Sequence, residues 1–496
     1  MRQLLATKSI KVLHEQESSG NQLRRALGPL HLTLLGIGGI IGTGIFVLTG
    51  TAAANHAGPA LPLAFIVAGI GCTLAGFCYA EFAAMIPVSG SAYSYSYATL
   101  GEGIAWFIGW NLVLEYLFAV ATVSVGWSGY AVSLLDQLHL HIPQALSSAP
   151  FGTPTGQEGL HIVRTGAFIN LPAMLIVAAI GTICYIGIRQ SAAFNAVIVA
   201  IKVTVVLLFI LFGVSFIQTS NWHPFIPPNS GQFGVFGLSG ILGAAGVIFF
   251  AYIGFDAIST AAQETRNPQR DMPIGILASL VICTILYVIV SAILTGMVSY
   301  KDLDVAAPVA LALDRYPGLH WLGIPVKLGA VCGMTSVMLV MTIAQARIFF
   351  AMARDGLLPP LFGRVHPRFR TPSVGTAITA IAAAIIGGLF PVGILGEMVS
   401  IGTLAAFVTV CIGVLILRRT RPDLPRPFRA PWPMFTCIAG ALVCFLMMVS
   451  LGAATWWRLL IWTVIGALIY LLYGWRHSRV RAENGAVGGT SAAPSG

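Results

Sequence analysis

Polar side chains are spaced along this chain so that twelve apolar runs of bilayer-spanning length stand between them. They cover residues 30–50, 60–86, 104–135, 166–188, 193–217, 237–259, 273–299, 321–350, 374–391, 397–417, 432–451 and 456–475. The runs are too long and too evenly apolar for barrel strands, so helix is the spanning element. The pattern predicts an all-α polytopic membrane protein with twelve transmembrane helices.

Two of the runs are written unlike ordinary spanning helices. The first, HLTLLGIGGIIGTGIFVLTG, carries Gly36, Gly38, Gly39, Gly42 and Gly44 across its centre. Each central glycine costs about 1 kcal/mol relative to alanine, so a break is expected there. A second half-helix starting near Gly42 turns free N–H groups and a positive dipole end toward the gap. Gly38 and Gly42 also form a GxxxG pair, which close helix packing alone would explain. The sixth run, GLSGILGAAGVIFFAYIGFDAIST, is interrupted around Gly254 and Asp256. Interrupted spans at positions one and six are the pattern of two five-helix halves of inverted topology, with a site between their broken first helices. This divides the chain into a tail (1–29), a first repeat (30–218), a second repeat (237–417), two further spans (432–475) and a disordered tail (476–496).

Composition agrees with the apolar pattern. The chain of 496 residues is 57% hydrophobic and 9% charged, with mean hydropathy +0.86. Of its 27 Lys and Arg, Lys202 and Lys327 fall inside runs, Arg347 lies near the cytoplasmic end of the eighth run, and only Arg164, Lys301, Arg315 and Arg458, the last at the start of the twelfth run, fall where a cytoplasmic N-terminus would place them outside. That asymmetry predicts both termini in the cytoplasm. It also accounts for the net charge of +10 as an orientation signal, without a nucleic-acid partner. Residues 1–29 have no apolar core of a signal peptide. The eight cysteines lie in apolar runs without a CxxC pair and read as packing residues. His139, His141 and His161 are scattered over the loop 138–164, in the manner of solvated side chains rather than metal ligands. Tyr93–Tyr97, too polar to cross, predicts a short interfacial or re-entrant helix.

GIGGIIGTGIF, FFAYIGFDAIST, QETRNPQRDMPIGI and RIFFAMARDGLLP, in this order and in these spans, resemble the amino acid-polyamine-organocation superfamily, and within it the twelve-span bacterial members of the cationic amino acid transporter family. The resemblance implies a leucine-transporter-like fold of five plus five inverted helices with two more. It also implies amino acid transport across the cytoplasmic membrane, commonly driven by protons. An amino acid presents a carboxylate and an ammonium group on one carbon, and broken helices satisfy both. The N–H groups of Gly42, Thr43 and Gly44 are expected to bind the carboxylate, and carbonyls near Ile40, Phe250, Ala251 and Ile253 the ammonium. By similarity, Phe250 covers the site.

Ionisable residues at membrane depth are functional suspects, since each costs at least about 2.5 kcal/mol there. Glu115 is expected to reach a cationic substrate side chain, and Asp256, grouped with the substrate-binding residues, is placed to cap the second half of span six. Glu81 and Glu397 fall near span ends and read as interfacial, and Lys327 as a snorkelling side chain. In span eight, Met334 is expected among the substrate-binding residues, and the resemblance places it with Thr335 and Ser336 beside the first broken helix, where sodium-driven relatives hold a cation. Here Lys202 would stand in for that ion and carry the coupling proton, bridging carbonyls of the first broken helix to Thr335 or Ser336. The coupling ion is thus expected to be H⁺, with no cofactor, no metal and no obligate protein partner. Nothing resembles a catalytic constellation, so the chain is read as a transporter and not an enzyme. An amino acid/amine exchanger of the same fold is the alternative. A non-transporting amino acid sensor ranks below both, because only short tails flank the spans.

Overall fold

The computed structural model describes residues 6–8, 27–85, 91–152, 163–187, 192–256, 258–259 and 265–480. His161, most of the segment just after Asp256 that was expected to be capped, and most of both tails lie outside these residues. The twelve longest helices are labelled α1 (Pro29–Ile40), α2 (Leu61–Met85), α3 (Glu102–Gln137), α4 (Leu171–Ile186), α5 (Ala192–Gly213), α6 (Gly237–Ile248), α7 (Pro268–Met297), α8 (His320–Arg354), α9 (Ser373–Leu389), α10 (Val392–Thr420), α11 (Pro433–Ser450) and α12 (Ala453–Ile469). Among the described residues, eight helical segments are long and apolar enough to cross a membrane, and α1, α4, α6 and α9 belong to four shorter apolar helices. Among the described residues the strands are confined to one short antiparallel pair, β1 (Phe151–Gly152) and β2 (Val163–Arg164), with Phe151 opposite Arg164.

The first apolar run is divided. α1 stops at Ile40, and the chain resumes as π-helix over Gly44–Leu48, α-helix over Thr49–Ala52 and π-helix over Ala53–Ala57. The run therefore reaches seven residues beyond its expected end, because Gly50, Ala52 and Ala53 are small enough to continue a buried helix among its neighbours. α6 gives way to a 3-10 turn at Phe249–Tyr252. α10 begins five residues before the expected position, leaving only Phe390 and Pro391 between it and α9.

Large apolar side chains such as Leu175, Leu211, Ile285, Ile381 and Leu442 are exposed on the helix exteriors, while Glu115, Lys202 and Asp256 are buried. This inside-out distribution is that of a protein solvated by lipid. α3 lies between α8 and α10, α7 packs along α1 and α2, and α4 packs on α9. The two broken segments are thus enclosed by α2, α3, α7, α8 and α10, where their freed backbone groups meet protein and not lipid.

Several polar positions differ from expectation. Tyr93, Tyr95 and Tyr97 form a helix, Ser91–Thr99, but are fully buried rather than spread on an interface. Glu81 is also buried, held by the Arg418 guanidinium with Nε at 2.9 Å from Oε1, and by the Ala430 N–H at 2.9 Å. The arginine lies far along the sequence, so span-end position alone misjudged this glutamate. Lys327 does not snorkel; its ammonium donates to Asp314 at 2.8 Å and Gln137 at 3.1 Å. Glu397, half-buried, accepts from Thr455 at 2.7 Å and Arg458 at 3.3 Å. All eight cysteines are free thiols, Cys332 alone being exposed.

Candidate substrate site

The two helix breaks face each other. α1 ends where Ile41 turns to extended backbone (φ −72°, ψ 104°), its N–H still donating to Ile37 at 2.9 Å. The 3-10 turn after α6 ends at Ile253 (φ −63°, ψ 137°), and Gly254 follows at φ +122°, a conformation that side chains with a Cβ rarely adopt. A Cβ on Gly39 would lie 3.1 Å from the Gly254 carbonyl oxygen, and one on Gly44 only 2.3 Å from Ala251 Cα. Glycine at these positions is therefore needed for the two broken segments to touch. The space above Gly44 is filled by Ala251, so its bareness serves packing before it serves any ligand.

Between the breaks lies an enclosed cavity of about 10 Å³, scarcely the room of one water molecule. Its walls include Ile40, Gly42, Thr43 and Gly44 from the first break, Phe250 and Ile253 from the second, and Val337 and Met341 from α8. Ala119 and Val123 of α3 close it. The conformation is closed, and an amino acid enters only if these walls separate. Met334 is buried but is absent from the wall; Val337 and Met341, three and seven residues further along α8, take the position expected of it. Glu115 is also off the wall, one helical turn before Ala119. Its carboxylate is fully buried with both oxygens lacking a hydrogen-bond partner, and Asp256 and Thr403 are its polar neighbours. Asp256 accepts from the Tyr116 hydroxyl. The Thr43 hydroxyl is likewise buried without a partner, packed toward Gly126 of α3.

Lys202 of α5 is fully buried and donates from Nζ to the Gly38 carbonyl at 2.6 Å and the Ile41 carbonyl at 3.0 Å. These acceptors are freed because α1 breaks just beyond them. The aliphatic stem rests on α8, where a Cβ on Gly333 would come within 3.1 Å of Cε. One amine thus ties α5 to the end of α1 while lying against α8. Its expected partners in α8 are turned elsewhere: Thr335 Oγ1 donates to Val331 and accepts from Trp127 Nε1 at 3.0 Å, and Ser336 donates to Gly333. Helical phase explains this, since Gly333 already occupies the face of α8 toward α5. Among the described residues no carboxylate forms an ion pair with Lys202.

Tyr287 of α7 was not singled out from the sequence. Its hydroxyl lies 2.9 Å from the Ile40 carbonyl and 3.0 Å from the Ala251 carbonyl, two of the acceptors expected for a substrate ammonium. The available signal was a phenol in the middle of VICTILYVIVSAIL, a run otherwise almost without polar atoms.

A bundle of apolar helices with two facing breaks, buried ionisable groups and a small cavity between the breaks defines a membrane carrier. The chain belongs to the amino acid permease family, whose model matches residues 27–470. It is 46% identical over 478 residues to the methylthioribose transporter of Bacillus subtilis (strain 168), covering 96% of this chain and 99% of that protein. It is 47% identical over 474 residues to the branched-chain amino acid permease BcaP of the same organism, covering 95% and 98%. A cationic amino acid transporter 4 of Arabidopsis thaliana, described as vacuolar, is 36% identical over 85% of this chain and 68% of its own length.

Proposed function

We propose that this permease is a proton-coupled symporter that moves amino acids through the cytoplasmic membrane by alternating access, on twelve spans arranged as five plus five inverted helices with two more and with both termini inside. The observation that carries the coupling is the pair of contacts from Lys202 to the Gly38 and Ile41 carbonyls, with no carboxylate among the described residues to neutralise it. The protonated amine holds α1, α5 and α8 together. The neutral amine keeps two N–H groups but loses its charge, so its hold on the Gly38 and Ile41 carbonyls weakens and α1 is released. Coupling follows if substrate binds preferentially to the protonated form, because a ligand shifts a conformational equilibrium only through differential affinity.

The substrate's carboxylate is assigned to the N–H groups at Gly42, Thr43 and Gly44, and its ammonium to the carbonyls around Ile40 and Ala251, where Tyr287 sits in the closed form. Apolar walls at Phe250, Ile253, Val337 and Met341 favour a small neutral or branched side chain. This agrees with a branched-chain permease among the relatives. Glu115, one turn away and without a partner, favours cationic side chains that reach past those walls.

Purified protein in proteoliposomes tests the coupling. Lys202→Met, neutral and without a titratable amine, is expected to lose accumulation driven by an inside-alkaline pH gradient while keeping its fold. Full proton-driven uptake by the folded variant would refute the mechanism.

A further inference from the structure

Away from the substrate site, α4 and α9 leave between them a cleft of about 420 Å³ that opens on the bilayer side of the protein. Gly181 and Ala380 form its floor, so close that a Cβ on Gly181 would lie 2.4 Å from the Ala380 Cβ. Ala178, Ala384 and Ile385 line its sides, and Leu175 and Ile381 stand exposed beside it. One end of the cleft is closed by Tyr185. The Tyr185 ring packs edge-on against His366 at 5.6 Å and Phe369 at 6.1 Å, and the Arg368 guanidinium lies 5.6 Å from the Phe369 ring. Thr371 donates to the Tyr185 carbonyl at 2.8 Å, which fixes the loop 364–371 to this end of α4. The loop presents Arg364, Arg368 and Arg370 as exposed cations, and no acidic residue occurs between Gly356 and Gly396.

An apolar trench that ends at an uncompensated basic loop matches an amphiphile with one chain and one anionic head. We propose that this cleft binds an anionic phospholipid, one acyl chain lying between α4 and α9 and the phosphate held by Arg368 and Arg370. The charge distribution assigns this end to the cytoplasmic surface, where anionic headgroups attract basic segments. The size favours a chain over a partner helix, since a helix about 10 Å across would fill the cleft within a single turn. The bound lipid would brace α4 against α9, two helices on the outside of the enclosed site.

Native mass spectrometry of the detergent-purified protein, titrated with phosphatidylglycerol or phosphatidylcholine of identical chains, tests the site, together with thermal unfolding in both lipids. The wild type is expected to retain phosphatidylglycerol preferentially and to unfold at higher temperature in it. Arg368→Gln/Arg370→Gln should weaken phosphatidylglycerol binding about tenfold or more and leave phosphatidylcholine binding unchanged. Ala178→Trp, which fills the cleft from its exposed side, should remove the retained lipid of either kind. Equal retention of both lipids by the wild type, or an unchanged preference in the arginine variant, overturns the proposal, and neither measurement depends on the tryptophan variant folding. Glycerol phosphate giving the same stabilisation would reduce the site to a free-anion site, and a copurifying polypeptide in place of lipid would make it a protein interface. Either result also overturns the proposal.

Discussion

The hydroxyl of Tyr287 sits 2.9 Å from the carbonyl oxygen of Ile40, and the same hydroxyl is 3.0 Å from Ala251 on the other broken segment. One phenol on α7 therefore spans the two breaks, at carbonyls that the helices themselves leave unpaired. In the closed form this hydroxyl does part of what a substrate ammonium would do when bound.

Tyr287→Phe removes the hydroxyl but keeps the ring, which packs against Phe65 at 5.4 Å and Tyr252 at 5.5 Å. Leaving a buried carbonyl without its donor costs about 1–3 kcal/mol, and this cost falls on the closed form. The variant should unfold at slightly lower temperature and spend more time open. A cysteine introduced at Thr43 should then react faster with a water-soluble thiol reagent in the Tyr287→Phe background. Unchanged reactivity would show that the hydroxyl does not hold the breaks together.

Two glycines of the first break should respond differently to the same methyl group. Gly44→Ala would set its Cβ 2.3 Å from Ala251 Cα, a backbone contact that cannot yield cheaply. Gly42→Ala meets only the Val337 side chain, at 3.1 Å. Gly44→Ala should lower stability by about 1–3 kcal/mol and abolish uptake, whereas Gly42→Ala keeps a measurable transport rate. Thermal unfolding and proteoliposome uptake of the pair check this.

Glu115→Gln separates a selectivity role from a structural one. If the carboxylate meets a cationic side chain, arginine and lysine binding should weaken about tenfold or more, a charged hydrogen bond contributing about 1.5–3 kcal/mol, while alanine and leucine binding changes little. Equal losses for all four, read by thermal shift or calorimetry, would leave Glu115 with a structural role.

At the end of α8, Lys8 donates to Asp355 at 2.5 Å, and Tyr93 donates to the same carboxylate at 2.8 Å. Lys8 and Asp355 are 5% exposed each, so removing one leaves the other's charge buried. Asp355→Ala is expected to destabilise the protein by about 3–5 kcal/mol, and Lys8→Ala/Asp355→Ala together by less than Asp355→Ala alone. Denaturation of the three proteins decides this, and a double variant no more stable than Asp355→Ala would disprove the pairing.

The sequence by itself determined that this is an apolar helical bundle and that spans one and six break, because apolar length and clustered glycine act locally and need no partner to be read. It also picked out Lys202, Glu115 and Asp256, since charge at membrane depth is costly wherever the helices lie. Tertiary structure alone decided which groups these meet. Helical phase turned Thr335 toward Trp127 and put Gly333 against Lys202, and Val337 and Met341, one and two turns along α8, stand on the cavity wall in place of Met334. The pairing of Glu81 with Arg418 joins residues more than three hundred positions apart, and the bridge from Tyr287 needs α1, α6 and α7 to converge. Such contacts depend on the rotation and depth of separate helices, which pack through small differences in side-chain shape that the apolar pattern of any one span does not encode.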